Sequence, residues 1–188
     1  TLTTRASNDP MLSGSVERLE QVTDRFLNGF GELRAVQATI TRTYEQQVLG
    51  PAREMAGLYS IIEGATGHRD APIWPSLGKS REAFTAMLVA ANAYYLSLAT
   101  ASAEDARKNT ETIEKTIPVM IDLADDDIQR SALEALKQRA GALRAGLGNL
   151  AAAVDDHRRR RFRRQLAEAI AVRGVPAPDD FHLRIRRR

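Results

Sequence analysis

Apolar residues near the start of the chain recur at alternating spacings of three and four, the heptad pattern of a helix that packs along one face. They are Val16, Leu19, Phe26, Phe30, Leu33, Ile40 and Tyr44, with Thr23 and Gln37 at the two intervening positions. The pattern predicts a helix of about 35 residues that starts at Ser13 or Ser15 and continues to Val48. Gly50-Pro51 then predicts a kink or a short break, because proline has no N–H to donate.

Three more helices are predicted beyond this point. Turn-forming residues cluster over residues 64–80, which indicates one long loop, and an apolar helix follows from about residue 80 to residue 98. Ser102-Ala103-Glu104-Asp105 is similar to a capping box and predicts the start of the third helix. The acidic turn Asp125-Asp126-Asp127 is placed to accept amides at the start of the fourth. That helix has the most regular spacing, with core positions at Leu133, Leu136, Ala140, Leu143, Leu147, Leu150 and Val154.

These sustained heptads and short connections predict an all-α fold. The expected architecture is an antiparallel up-down helical bundle with long, heptad-patterned first and last helices. The longest uncharged run, residues 83–103, is interrupted by polar residues such as Thr85 and Asn92 and is rich in alanine. We therefore interpret it as a buried helix rather than a membrane span.

The distribution of charge divides the chain. Residues 157–188 contain 11 arginines and three acidic residues, whereas residues 1–156 carry an excess of five negative charges, although the whole chain has a net charge of +3. Extending the register past Val154 places His157, Arg161 and Arg164 where core residues should be, so this segment cannot join the apolar seam. We predict three segments: an N-terminal tail over residues 1–12, a helical bundle over residues 13–156, and an Arg-rich helical extension and tail over residues 157–188.

Residue types exclude several kinds of chemistry. The chain has no cysteine, which excludes disulfides, thiolate nucleophiles and cysteine-based metal sites. Its three histidines belong to no metal-binding motif, and Leu77-Gly78-Lys79-Ser80 is not a phosphate-binding loop because Ile73 stands where the first glycine should be. No catalytic residue, metal or cofactor is expected. Only two phenylalanines accompany the C-terminal arginines, too few for a base-stacking platform, so nucleic acid is not the expected partner.

A small-molecule site between helices remains open. Polar and aromatic residues within otherwise apolar helices are candidates to line such a pocket. They are Arg53, Tyr59, Asn92, Tyr94 and Tyr95. Taken alone, each is more typical of an ordinary, partly buried residue with a satisfied hydrogen bond.

Four stretches of the chain carry a resemblance to known proteins. Three belong to the first long helix and the break that follows it: Phe26-Leu27-Asn28-Gly29-Phe30-Gly31-Glu32-Leu33, Thr41-Arg42-Thr43-Tyr44 and Val48-Leu49-Gly50-Pro51-Ala52. The fourth is residues 90–105, with Tyr94-Tyr95-Leu96. Together they resemble the extracytoplasmic helical sensor regions of bacterial chemoreceptors and sensor histidine kinases, in which a segment like residues 90–105 follows the first long helix. The similarity covers roughly residues 16–160 and implies that the predicted bundle of residues 13–156 is a sensor domain.

The resemblance implies a periplasmic domain of an inner-membrane receptor, held between transmembrane helices that this chain lacks. Such a domain forms a homodimer, binds a small-molecule ligand and passes a helix displacement across the membrane, with no catalysis of its own even where the parent is a histidine kinase. The start at Thr1 is expected of a piece of a longer receptor. The alternative is a soluble helical adaptor or nucleic-acid-associated protein that uses the basic C-terminal tail.

Overall fold

The computed structural model describes residues 10–68 and 70–172. Within these ranges every regular element is a helix and there is no strand, which confirms the predicted all-α fold class. The elements are α1 (Pro10–Thr43), a π-helical turn (Tyr44–Leu49), α2 (Gly50–Ala65), α3 (Trp74–Ser97), α4 (Thr100–Asp122) and α5 (Asp127–Val172).

Helix α3 begins earlier than its sequence pattern indicates, at Trp74 instead of about residue 80. Pro75 lies in its first turn, where the missing N–H costs nothing. The indole Nε1 of Trp74 donates to the carbonyl of His68 at 2.7 Å and closes the connection from α2. The predicted loop over residues 64–80 is therefore wrong in its second half. None of the helices described in the structure combines the length and apolarity that crossing a membrane requires.

Helix α4 also begins before its predicted start. Its first residue is Thr100, and Ala99 precedes it without a side-chain cap, so the capping box predicted at Ser102 is wrong. The reason lies in Leu98, which adopts a left-handed conformation with φ of 56° and reverses the chain immediately after α3. The side chain of Leu98 is half-buried against the core, and this packing compensates for a conformation that costs a non-glycine residue energy.

The start of α5 follows the prediction. Asp126 Oδ1 accepts the backbone N–H of Gln129 at 2.8 Å, which confirms the acidic turn as a helix cap. The buried Gln129 side chain returns a hydrogen bond, because its Oε1 accepts the N–H of Asp125 at 3.0 Å. Its Nε2 donates to Thr66 Oγ1 at 2.7 Å, so the first turn of α5 is tied to the end of α2.

The core lies between α2, α3, α4, the first part of α5 and the last part of α1. The predicted core positions of α5 from Leu133 to Val154 are fully buried, except Leu147, which is partly buried. Helix α1 differs, because its seam is buried only from Val36 onward. Leu19, Phe26 and Phe30 are 52–67% exposed, so placing them in the same buried seam as Ile40 is wrong for the described part of the chain.

Candidate functional site at the π-helical turn

The π-helical turn between α1 and α2 arises from the local sequence. Gly50 donates its N–H to the carbonyl of Glu45, five residues earlier, and the next residue, Pro51, has no N–H with which to continue an α-helical ladder. Four residues of an α-helix turn about 40° more than one full rotation. Side chains spaced four apart therefore drift away from the core face, unless the helix is locally unwound as it is in a π-helical turn. The buried positions here follow that spacing: Val36, Ile40, Tyr44, Val48 and Ala52.

Helix α5 contacts the turn through Gln47. A Cβ atom at Gly146 would lie 1.9 Å from the carbonyl oxygen of Gln47 and 2.6 Å from its carbonyl carbon, both of them backbone atoms. Only glycine allows the two helices to approach this closely. One turn along α5, Asn149 Nδ2 donates to Gln47 Oε1 at 2.7 Å. Both the backbone and the side chain of Gln47 are therefore held by α5.

Helix α3 contacts the other side of the turn through Tyr44. The rings of Tyr44 and Tyr95 stack with centroids 4.3 Å apart and planes 4° apart. The hydroxyl of Tyr44 donates to Asn92 Oδ1 at 3.3 Å, and the Tyr95 hydroxyl lies 3.2 Å from Thr41 Oγ1. Burial raises the pKa of Tyr44, and neighbouring Tyr95 raises it further, so Tyr44 is a neutral hydrogen-bond donor at physiological pH.

We call this set of residues the junction: Thr41, Tyr44, Gln47, Asn92, Tyr95, Gly146 and Asn149. It brings together two of the five residues that the sequence nominates for a ligand site, Asn92 and Tyr95. Sequence reasoning missed the contribution of Tyr44 beyond packing, as well as Thr41 and Gln47. The sequence does contain a signal for the π-helical turn. Apolar or aromatic residues recur at every fourth position from Val36 to Ala52, and Gly50-Pro51 lies within that stretch.

The other three nominated residues lie elsewhere. Tyr59 is 1% exposed, with its hydroxyl 2.7 Å from Ser80 Oγ and its ring 5.3 Å from that of Phe84. Burial raises the pKa of Tyr59 to about 12. Tyr94 is buried, and Arg53 is exposed on α2. These residues do not form one pocket with the junction.

Tyr94 belongs to a second polar group, at the turn between α3 and α4. Burial raises the pKa of Tyr94, and the positive charge of Arg158 on α5 opposes that rise. Arg158 donates from Nη2 to the carbonyl of Leu98, the left-handed residue that ends α3. The neighbouring His157 has a buried Nδ1 with no hydrogen-bond partner among the described residues. The first residues of the arginine-rich segment therefore contact the helical core.

A third polar group lines a cleft of about 360 Å³ between α1 and α5, formed by Glu32, Asp156, Arg159 and Arg160. Arg160 Nε donates to Asp156 Oδ2 at 2.8 Å, so one arginine is already neutralised within its own helix. All four side chains are exposed, and the cleft is open to solvent. The cleft has fewer buried side chains than the junction, so its lining residues do not fix the position of a ligand.

Comparison with protein-family models, curated proteins and solved structures found no match. In the described ranges, no three His, Asp or Glu side chains come together in a way that could hold a metal ion. Function is therefore inferred from the geometry of the residues themselves. The junction is the strongest candidate, because it is the place where one helical turn contacts two other helices through specific polar groups.

Proposed function

We propose that the chain is a ligand-sensing and signal-transducing domain of a transmembrane receptor, either a histidine kinase or a chemotaxis receptor. In this proposal the domain is periplasmic, forms a homodimer and has no catalysis of its own. The observation that carries the proposal is the junction, where a π-helical turn in the first long helix is contacted by α3 on one side and by α5 on the other.

The order of the contacts supports an antiparallel up-down bundle as the architecture of this domain. Moving forward along α1 and α2, Gln47 contacts Asn149, Glu54 forms an ion pair with Arg139 at 2.6 Å, and Thr66 contacts Gln129. The partner numbers fall as the first numbers rise, as they do between antiparallel helices. The same relation holds toward α3, where Tyr44 meets Asn92 and Tyr59 meets Ser80.

The unequal strength of its contacts makes the junction suited to a helix displacement. On the α5 side, close backbone packing at Gly146 and a 2.7 Å hydrogen bond hold Gln47. On the α3 side, the hydrogen bonds are 3.2 and 3.3 Å long, longer than the usual ~2.5–3.0 Å of an O–H···O bond and therefore weaker. A ligand that bonds to Tyr44, Asn92 or Tyr95 competes with these weaker bonds and moves α1 relative to α3, whereas α5 stays attached. Packed helices shift between discrete arrangements, which lets such a movement travel along α1.

Ligand screening by thermal shift tests this proposal. Because the α3 side of the junction offers two phenols, an amide and a hydroxyl, we expect a hit among amino acids, organic acids or aromatic acids, with the unfolding temperature rising by mass action. Asn92→Ala and Tyr95→Phe should reduce the shift, whereas Arg53→Ala, at a nominated residue outside the junction, should leave it intact. A shift that persists in both junction variants and disappears in Arg53→Ala would contradict the junction as the site.

The displacement itself can be measured with spin labels. The natural chain has no cysteine, so labels on Asn28→Cys in α1 and Leu96→Cys in α3 would be the only ones. Both positions are exposed. We expect the distance between the labels to change when the screened ligand binds, and an unchanged distance would contradict a relayed movement of α1. The membrane part of the proposal requires apolar spans of about 20 residues on both sides of this segment in the parent gene.

A further inference from the structure

One arginine of α5 is bonded to the turn between α3 and α4. Arg158 donates from Nη2 to the carbonyl of Leu98. The carbonyls in the last turn of a helix have no partner within the helix and lie at its negative end, so a cationic donor there is favourable. The Nη1 atom lies 3.5 Å from Asp155 Oδ1 on α5 itself, which leaves the bond to Leu98 as the stronger contact of this guanidinium.

This bond crosses the same boundary as the displacement in the proposed function. In that displacement α1 moves relative to α3, and α5 stays attached to α1 through Gln47. Because Arg158 lies on α5 and Leu98 ends α3, a movement of α1 and α5 together relative to α3 pulls the guanidinium away from the carbonyl. The bond therefore favours the arrangement in which α3 is not displaced.

The residue before Arg158 opposes the same arrangement. His157 Nδ1 is buried and has no hydrogen-bond partner within the part of the chain that the structure describes. Whether this nitrogen carries the proton or the lone pair, it lacks an acceptor or a donor. A buried polar atom without a partner destabilises the packing that leaves it so. Two adjacent positions of α5 thus act in opposite directions on one packing, which brings a second packing close to it in free energy.

We propose that Arg158 is a latch, whose bond to the carbonyl of Leu98 holds α5 to the end of α3 and whose release lets α1 and α5 shift together relative to α3. The latch rests on the proposed function, because that function supplies the direction of the shift. The Arg158 side chain is 40% exposed, so a released guanidinium is hydrated without unfolding of the chain.

Spin-label distances measured without any ligand test the latch. Labels on Val89→Cys in α3 and Ala152→Cys in α5 would occupy exposed positions of a chain that has no natural cysteine. With Arg158 in place we expect one main distance. Arg158→Met keeps the apolar stem without the donor and should raise the population of a second, discrete distance about tenfold. Arg158→Lys can donate to the same carbonyl and should restore the main distance.

Arg159→Met is the matched control for the loss of charge. It changes the next residue, an exposed arginine that faces the cleft with Glu32, and should leave the distances unchanged. Adding His157→Leu to Arg158→Met should lower the share of the second distance, because no buried polar atom is then left without a partner. Helical content by circular dichroism should match the natural chain in every variant. If Arg158→Met does not fold, Arg158→Gln makes the same comparison.

Unchanged distances in the folded Arg158 variant, or the same second distance in Arg159→Met, would overturn the latch. A loss of stability without a second discrete distance would make Arg158 a merely structural residue and would overturn it too. The sensing function fails on a different result, when compounds that raise the unfolding temperature leave the label distance unchanged in the natural chain and in Arg158→Met. The two failures are therefore distinguishable.

Discussion

Two parts of the molecule use the same apolar pattern with opposite results. The inner segment comprises residues 36–65, which run through α1, the π-helical turn and α2, together with residues 127–154 of α5. Its buried core positions are at most 9% exposed, and Leu147 is partly buried. The outer segment comprises residues 14–33 of α1 and 155–172 of α5. Four of its α1 seam residues are 40–67% exposed: Leu19, Phe26, Phe30 and Leu33. Helices α3 and α4 lie against the inner segment. Tyr95, near the end of α3, contacts α1 at Thr41.

The contrast shows what a heptad pattern specifies. It states that one face of a helix must be buried, and it does not state which chain supplies the cover. In the inner segment, helices α3, α4 and α5 bury the apolar face of α1 and α2. In the outer segment the described part of the chain leaves the same face uncovered.

The strongest test of this contrast compares two positions on one helix. Ile40→Ala removes a fully buried side chain from the inner segment and should lower the free energy of unfolding by about 3 to 4 kcal/mol. Phe30→Ala removes a larger side chain of the same seam that is 52% exposed, and it should lower the unfolding free energy of the monomer by less than about 1 kcal/mol. Urea denaturation at low protein concentration measures both. Similar losses for the two variants would show that the outer seam is covered within one chain.

The next test concerns the close approach of α5 to the π-helical turn. Gly146→Ala places a methyl group 1.9 Å from the backbone carbonyl oxygen of Gln47, so the helices must separate, at a cost of about 3 kcal/mol. Gly148→Ala is the matched control on the same helix, because a Cβ there meets nothing within 4 Å. It should raise the unfolding free energy by about 0.5 to 1 kcal/mol through higher helix propensity. If Gly146→Ala is as well tolerated as Gly148→Ala, the junction is not closely packed.

Much of the fold is predictable because its causes are local. The helical core positions of α5 and the cap at Asp126 follow from spacing and from residues next to one another in the sequence. The late start assigned to α3 and the capping box assigned to α4 are wrong, because tertiary packing decides both. Trp74 bonds to His68, and Leu98 accepts a left-handed conformation in exchange for a place against the core.

The candidate site is less predictable than the fold. Asn92 and Tyr95 stand out in sequence as polar and aromatic residues in an apolar helix, but their partner Tyr44 is indistinguishable from an ordinary core residue. The close approach of α5 to the π-helical turn depends on Gly146, which is about a hundred residues from Gln47 in the chain. A single sequence carries no direct sign of that contact.

A pH experiment sharpens the description of the inner segment. The pKa of Tyr59 is raised to about 12 by burial, whereas an unfolded tyrosine titrates near 10. Between these values the unfolded chain binds fewer protons than the folded chain, so stability falls as pH rises. We expect this residue to remove up to about 2 kcal/mol of the unfolding free energy between pH 10 and pH 12, with no contribution below pH 10.

The Tyr59→Phe variant isolates that contribution. At neutral pH it loses the hydrogen bond to Ser80 Oγ and should be less stable than the natural chain by about 1 to 2 kcal/mol. Above pH 10 its stability should fall less steeply, so the two curves converge. Parallel curves across this range would show that Tyr59 reaches solvent in the folded state.

The smallest expected effect tests whether the inner segment unfolds as one unit. Asp126→Ala removes the acceptor of the Gln129 N–H and should lower the unfolding free energy by about 1 kcal/mol. Asp127→Ala is the neighbouring control, because that side chain is fully exposed and its one recorded contact is a 3.7 Å ion pair with Arg130. Exposed ion pairs contribute little, so this variant should leave stability nearly unchanged. Hydrogen exchange then locates the loss. If the inner segment is cooperative, Asp126→Ala speeds exchange in the amides around Ile40 as much as in those around Leu133, because Gln129 and Thr66 join α5 to α2. Faster exchange confined to the first turn of α5 would instead show local fraying, and the contrast between inner and outer segments would then be one of packing without shared cooperativity.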